Sequence, residues 1–254
     1  MEKFIVEYYF VGTEEAEIVY GSEKAEYINL LEGDDIYTAI GGPDIVYGGK
    51  GNDTVVSYGA ESLTYGEEGD DYLVGSKVTF GDNGDDIINN QLVETYEVEA
   101  YGGNGNDLML GSKVKRNEYF GRAGDDTLLG GAVADHFDGG KGEDWIYGEK
   151  GNDFIDGGKG DDILVGAEGA DFLEGGEGSD EFIFYPVYSR DIDFIHDYED
   201  GVDRIGVTDL ENVGWYYDEG IKQTVVVDTE KRLFFTKIGG NVVEQLDRGD
   251  FFEV

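Results

Sequence analysis

Five aspartates recur nine residues apart in residues 139–180, "GGKGEDWIYGEKGNDFIDGGKGDDILVGAEGADFLEGGEGSD": Asp144, Asp153, Asp162, Asp171 and Asp180. Carboxylates are hard oxygen donors. Set regularly among glycines, whose carbonyls are accessible, they suit the holding of a divalent cation. Other chemistry is poorly represented. The chain has no Cys, which removes thiolate metal sites and thiol nucleophiles together. Its only histidines, His136 and His196, lie far apart in sequence. The G-x-S-x-G, H-E-x-x-H and phosphate-loop patterns are absent, and no carboxylate pair stands out for glycoside chemistry among the 58 acids. The chain therefore reads as non-catalytic.

The repeating unit is G-G-x-G-x-D-x-U-x, where U is apolar. Five copies precede the contiguous run: "GGKGNDTVV" (Gly48, Gly49, Gly51, Asp53), "GEEGDDYLV" (Gly66, Gly69, Asp71), "GDNGDDIIN" (Gly81, Gly84, Asp86), "GGNGNDLML" (Gly102, Gly103, Gly105, Asp107) and "GRAGDDTLL" (Gly121, Gly124, Asp126). The run itself supplies Gly139, Gly140 and Gly142 with Asp144, then Gly148 and Gly151 with Asp153. It continues with Gly157, Gly158 and Gly160 before Asp162, Gly166 and Gly169 before Asp171, and Gly175, Gly176 and Gly178 before Asp180. Asp35, Asp44 and Asp135 hold the same column in turns that lack some of these glycines, while Glu17 and Glu26 hold it earlier and are read as starting the array. The repeats span about residues 12 to 184.

Each nonamer predicts a six-residue turn followed by a three-residue strand. Glycine permits positive φ and close backbone approach in the turn. In the strand, alternation sends U to one face. The U column is Val19, Ile28, Tyr37, Val46, Val55, Leu73, Met109, Leu128, Phe137, Ile146, Ile155, Leu164, Leu173 and Phe182, which predicts a core. One strand cannot bury such a face alone, so successive nonamers must stack, two per coil. The expected fold is all-β: a parallel β-roll of two sheets, with a C-terminal antiparallel β capping segment.

Two nonamers per coil put alternate turns on opposite edges. One edge holds Asp35, Asp53, Asp71, Asp86, Asp107, Asp126, Asp144, Asp162 and Asp180; the other loses the pattern between Ser62 and Asp135. Stacked strands sit about 4.8 Å apart, roughly twice a calcium–oxygen bond of about 2.4 Å, so calcium fits between turns. Magnesium, with bonds near 2.1 Å and a strict octahedron, fits less well. Without metal, carboxylates about 5 Å apart repel by about 3 kcal/mol at an effective dielectric of 20. A roll without calcium is therefore expected to unfold. Asx residues serve as plain turn formers elsewhere, but that role needs neither three glycines nor a sustained nine-residue beat.

These nonamers resemble the RTX (repeats-in-toxin) calcium-binding family. The resemblance implies several calcium ions between same-edge turns, held by the sixth-position Asp and by carbonyls of the glycine loop. It implies ligand columns at the Asp and Gly positions named above. "DFIHDYEDGVDRI", residues 193–205, resembles the segment following the roll in serralysin-type proteases and alginate epimerase modules. "DFFEV" at 250–254 is similar to the ends of type I secretion substrates, which implies that secretion machinery as a partner and an extracellular location. The corresponding organisation is an N-terminal strand at 1–11, the roll at 12–184, and a cap with a secretion signal at 185–254, its strands "TVVVDT", "RLFFTKIGG" and "NVVEQL" joined in part by a turn at "DTEK".

Charge narrows the partners. A net charge of -40 offers no positive field for nucleic acid or anionic lipid, and no apolar run approaches a membrane span. "MEKFIVEYYFVG" lacks the features of a signal peptide. Outward strand positions carry an apolar row that includes Tyr72, Ile87, Trp145, Phe154 and Phe172. Such a row predicts either cover from the terminal segments or a docking face for extracellular glycan or another protein.

Overall fold

In the computed structural model the nine-residue beat becomes a succession of short strands. The structure describes residues 2–4, 9–39, 41–185, 192–199, 201–207, 213–218, 223–228, 233–239 and 250–253. The chain divides into two units, Met1–Leu128 and Leu129–Val254.

Unit 1 contains β1 (Glu2–Phe4), β2 (Tyr9–Thr13), β3 (Ile18–Tyr20), β4 (Tyr27–Leu31), β5 (Ile36–Ala39), β6 (Ile45–Lys50) and β7 (Thr54–Ser57). It continues through β8 (Leu63–Glu68), β9 (Tyr72–Val74), β10 (Val78–Asn83), β11 (Ile87–Asn89), β12 (Val98–Asn104), β13 (Leu108–Leu110) and β14 (Asn117–Ala123). Odd strands β1 to β13 pair in one sheet and even strands β2 to β14 in the other, all parallel. Each strand thus pairs with the next but one in sequence, so one coil holds two nonamers. Within residues 1–11, expected as an N-terminal strand or cap, β1 and the start of β2 each lie in a parallel strand of a sheet.

Unit 2 contains β15 (Thr127–Gly131, which begins at the end of unit 1), β16 (His136–Lys141), β17 (Trp145–Glu149), β18 (Phe154–Lys159), β19 (Ile163–Val165), β20 (Phe172–Glu177) and β21 (Glu181–Phe184). Parallel pairing then runs past residue 184. β22 (Asp193–Ile195) pairs with β20, and β23 (Arg204–Val207) with β21. "DFIHDYEDGVDRI" therefore forms a further coil; its beat is hidden because the register steps lengthen to 22 and 23 residues, as Phe172 to Phe194 and Glu181 to Arg204. β26 (Leu233–Gly239) and β27 (Phe251–Glu253) also add in parallel, and β24 (Val213–Asp218) and β25 (Gln223–Asp228) join β26 antiparallel. The antiparallel strands expected of the C-terminal segment are present as β24, β25 and β26. "DFFEV" contains β27, most of "DTEK" and all of "NVVEQL" lie outside the described residues, and no described helix is long and apolar enough to cross a membrane.

The U column is the core: each of its predicted members is fully buried. In unit 1 the even sheet adds Thr64, Thr79, Ala100 and Tyr119 at the same positions, and the odd sheet adds Ile88. The polar members break the apolar alternation that the sequence pattern uses. Members of the outward row differ in exposure: Trp145 is 47% exposed and Tyr72, Ile87 and Phe154 are 37–39% exposed, while Leu63, Leu108 and Phe172 are half-buried.

Candidate metal-binding turns

The turns fall on two edges in each unit. The first edge follows the even strands and the second follows the odd ones.

Along the first edge of unit 1 every sixth-position aspartate is buried, and one carboxylate oxygen links it to the preceding coil. Oδ1 of Asp53 accepts from the backbone N–H of Asp35 at 2.8 Å, Asp71 from Asp53 at 2.7 Å, and Asp86 from Asp71 at 2.8 Å. Asp107 accepts from Asp86 and Asp126 from Asp107 in the same way, both at 2.8 Å. In unit 2 the ladder runs Asp144–Asp162–Asp180–Asp203 on the first edge and Asp135–Asp153–Asp171–Asp193 on the second. Sequence reading missed Asp193 and Asp203 as ladder members, although both stand in the quoted segment.

The second carboxylate oxygen is different. Oδ2 of Asp53, Asp71, Asp86, Asp107, Asp153, Asp162 and Asp180 is buried and meets no donor. A buried ionised carboxylate oxygen without a donor costs several kcal/mol, so these atoms call for a proton or a cation. Burial, the largest cause, pushes the carboxyls up: Asp53 and Asp107 to about 7, Asp71, Asp153 and Asp162 to about 8, Asp86 and Asp180 to about 6. Negative neighbours add to the rise, while the N–H from the preceding coil opposes it.

The glycines explain what faces those oxygens. First-position glycines have no positive φ, yet a Cβ on Gly48 would lie 2.4 Å from Asp53 Oδ2 and 2.7 Å from the Gly66 carbonyl. The same pair of oxygens walls Gly66 (Asp71, Gly81), Gly81 (Asp86, Gly102), Gly102 (Asp107, Gly121), Gly148 (Asp153, Gly166) and Gly157 (Asp162, Gly175). An unpartnered carboxylate oxygen and a carbonyl from the next coil thus converge over a glycine that leaves room for them. Fourth-position glycines are needed for φ: Gly160 sits at +124°, and a Cβ there would be 1.8 Å from the Gly142 carbonyl. The second position also has positive φ, but Glu67, Asp82, Arg122, Glu149 and Ala167 fill it, so glycine is dispensable there.

Among the described residues no three acidic or histidine side chains converge as a cage. One carboxylate per turn plus backbone carbonyls is a mixed oxygen set, which fits calcium and not a soft metal. Two expected ligands, Asp44 and Asp135, have a donor on the second oxygen, whereas Asp35 keeps the first-edge link. Asp44 Oδ2 accepts from the Ser57 hydroxyl at 3.1 Å, and Asp135 Oδ2 accepts from the Gly131 N–H at 2.9 Å. Asp35 takes the Glu17 N–H at 2.7 Å, in a turn whose second position is Leu31.

The fifth position, which carries no letter in the pattern, has a role of its own. Asn52 N–H donates to Asp34, Asp70 to Asn52, Asp85 to Asp70, Asn106 to Asp85 and Asp125 to Asn106. This exposed Asx ladder locks coil to coil beside the buried one. The recurring Asp or Asn before the sixth-position Asp is the sequence signal for it.

No curated protein matches the chain. Among solved structures, the AlgE6R3 subunit of the Azotobacter vinelandii mannuronan C5-epimerase is 25% identical over 52% of this chain and 80% of that one, with a TM-score of 0.28. The extracellular lipase LipA from Serratia marcescens is 11% identical over 100% of this chain, which spans 40% of the lipase, with a TM-score of 0.21. The RTX calcium-binding nonapeptide repeat family matches residues 31–59, 99–113, 120–155, 130–164 and 148–182. The turns of Asp53, Asp107, Asp153, Asp162 and Asp180 lie in the matched segments, those of Asp71 and Asp86 lie between them, and the matched segments carry RTX calcium-binding nonapeptide repeats.

Proposed function

We propose that the protein is a secreted, non-catalytic calcium-binding module whose β-roll folds when calcium fills its turns. The buried Oδ2 atoms without donors carry this reading, because each needs a positive partner at neutral pH. In this reading Asp53, Asp71, Asp86, Asp107, Asp153, Asp162 and Asp180 supply the carboxylate, with Asp126, Asp144 and Asp171 in the same columns. Carbonyls of the first-position glycines, such as Gly66 and Gly175, face the same gap. Calcium supplies the charge that cancels repulsion between coils. In a low-calcium compartment the roll is largely unfolded; where calcium is about millimolar, sites of roughly 10⁻⁴ to 10⁻³ M fill and folding follows. Export by a type I route agrees with the RTX repeats, whose proteins are typically secreted. Circular dichroism during calcium titration tests the proposal, with magnesium as the control. A strand signal that grows with calcium supports it, and an identical spectrum in chelator sinks it.

A docking face for glycan or protein is the second reading, favoured by the exposure of Trp145. The aromatic row of unit 1 argues less for sugar stacking: Tyr47, Tyr65, Phe80, Tyr101 and Phe120 stack face to face, with 4.8 Å between successive centroids. Their ring faces are already used. Glycan-array binding lost on Trp145→Ala would favour this second reading.

A further inference from the structure

We infer that the second edge of unit 1 binds no calcium and is held by a buried hydrogen-bonded spine, so unit 1 takes its ions along one edge alone. The inference rests on the calcium reading of the first-edge turns. Strand register defines the sixth-position column on this second edge as Glu26, Asp44, Ser62, Lys77, Val98 and Asn117. Only the first two are acids, and protein donors occupy their oxygens. The Glu26 carboxylate accepts from the Ser22 N–H at 3.0 Å, the Ser22 hydroxyl at 2.7 Å and the Tyr37 hydroxyl at 3.1 Å. Asp44 accepts from the Glu26 N–H at 3.2 Å and from Ser57 at 3.1 Å. The oxygen that lacks a donor on the first edge has one here.

In the rest of the column Ser62 links coils through neutral groups. Ser62 Oγ accepts from the Asp44 N–H at 3.0 Å and donates to the Gly42 carbonyl at 3.2 Å. Lys77 holds the column by backbone register, and its exposed ammonium pairs with the exposed Glu61 carboxylate at 2.8 Å. Val98 has no side-chain donor or acceptor at all. Asn117 accepts from the Ser112 N–H at 2.7 Å and returns a bond to the Ser112 carbonyl at 3.1 Å. Deeper in, the Thr64 and Ser76 hydroxyls bond to each other, and the Asn90 side chain donates to the Tyr119 hydroxyl at 3.1 Å. Neutral donors and acceptors satisfied by one another need no counter-ion. The irregular spacing of this edge therefore reflects a change of glue, not a decayed repeat.

The test uses the intact chain, with calcium as the probe and native mass spectrometry plus calorimetric titration as readouts. Glu26→Gln and Asp44→Asn are expected to keep the ion count, with affinities within about twofold of the parent. Asp71→Asn and Asp107→Asn are each expected to lose one ion or weaken it by about tenfold or more. Hydrogen exchange supplies a second readout that does not depend on how the variants fold: calcium should slow the Asp53 and Asp86 amides of the parent more than those of Gly75 and Ser112. Loss of an ion in either second-edge variant, with the first-edge variants also losing ions, overturns this inference alone. An unchanged ion count in all four variants overturns it together with the calcium reading.

Discussion

The two units use the same turn on their first edges and differ on their second. In unit 1 the second edge is built from serine, threonine, asparagine and tyrosine, and its two acids have protein donors. In unit 2 the second edge repeats the glycine-and-aspartate turn, and Asp153 has a buried oxygen without a donor, as Asp162 and Asp180 do on the first edge. Burial and neighbouring aspartates push Asp153 and Asp162 alike to about 8. The contrast teaches that a coil needs its turns linked, not that it needs metal. Hydrogen bonds between neutral groups and an ion between carboxylates are two ways to do it, and only the second responds to the medium.

Removing calcium should break this balance most. A site at ten times its Kd contributes about 1.4 kcal/mol, and the proposed reading gives unit 2 such sites on both edges. Chelation is expected to accelerate amide exchange throughout unit 2 while unit 1 keeps more protection along its second edge; equal loss in both units would erase the distinction. Backbone comes next. Gly160→Val is expected to cost about 2–3 kcal/mol or more and lower Tm by about 5–10 °C, since the φ of +124° and the Gly142 carbonyl both oppose a side chain. Thermal melts in calcium check it.

Acidity should act on the metal-free chain with a definite sign. The buried aspartates have folded values of about 6 to 8, above the usual carboxylate value of about 4. The folded state therefore binds protons more tightly, and its stability without metal falls as pH rises from about 4 through 8. In chelator, lowering pH from 8 to 5 is expected to raise Tm; in saturating calcium the trend weakens or reverses, because protons compete with the ion. Asp162→Asn sharpens the same point: it should weaken calcium binding by about tenfold, yet stabilise the chelated form by removing a buried charge. A loss of stability in chelator would contradict the electrostatic account. The smallest effect belongs to the exposed cross-coil pair Lys150–Glu168 at 2.6 Å, where Lys150→Ala should move Tm by less than about 2 °C.

Much of this was legible in the residues themselves. The U column named the core because a period of nine leaves one inward apolar position per strand, and the aspartate column named the first edge. The extra coil of β22 and β23 was less legible, since longer connections hide the beat while Asp193 and Asp203 keep the ladder. The second edge of unit 1 was illegible as anything but a lapse, because Ser62 and Asn90 bond to partners, Asp44 and Tyr119, that only the fold brings near.

The order of residues alone determined that short strands stack in coils with acid on their turns, because glycine, aspartate and apolar positions recur at a fixed step and each has one geometric use. Tertiary structure decided which carboxylates remain without donors. That depends on neighbours distant in sequence, such as Ser57 against Asp44, 13 residues away, and Tyr37 against Glu26, 11 residues away, and on whether a hydroxyl or only a carbonyl faces the gap between coils.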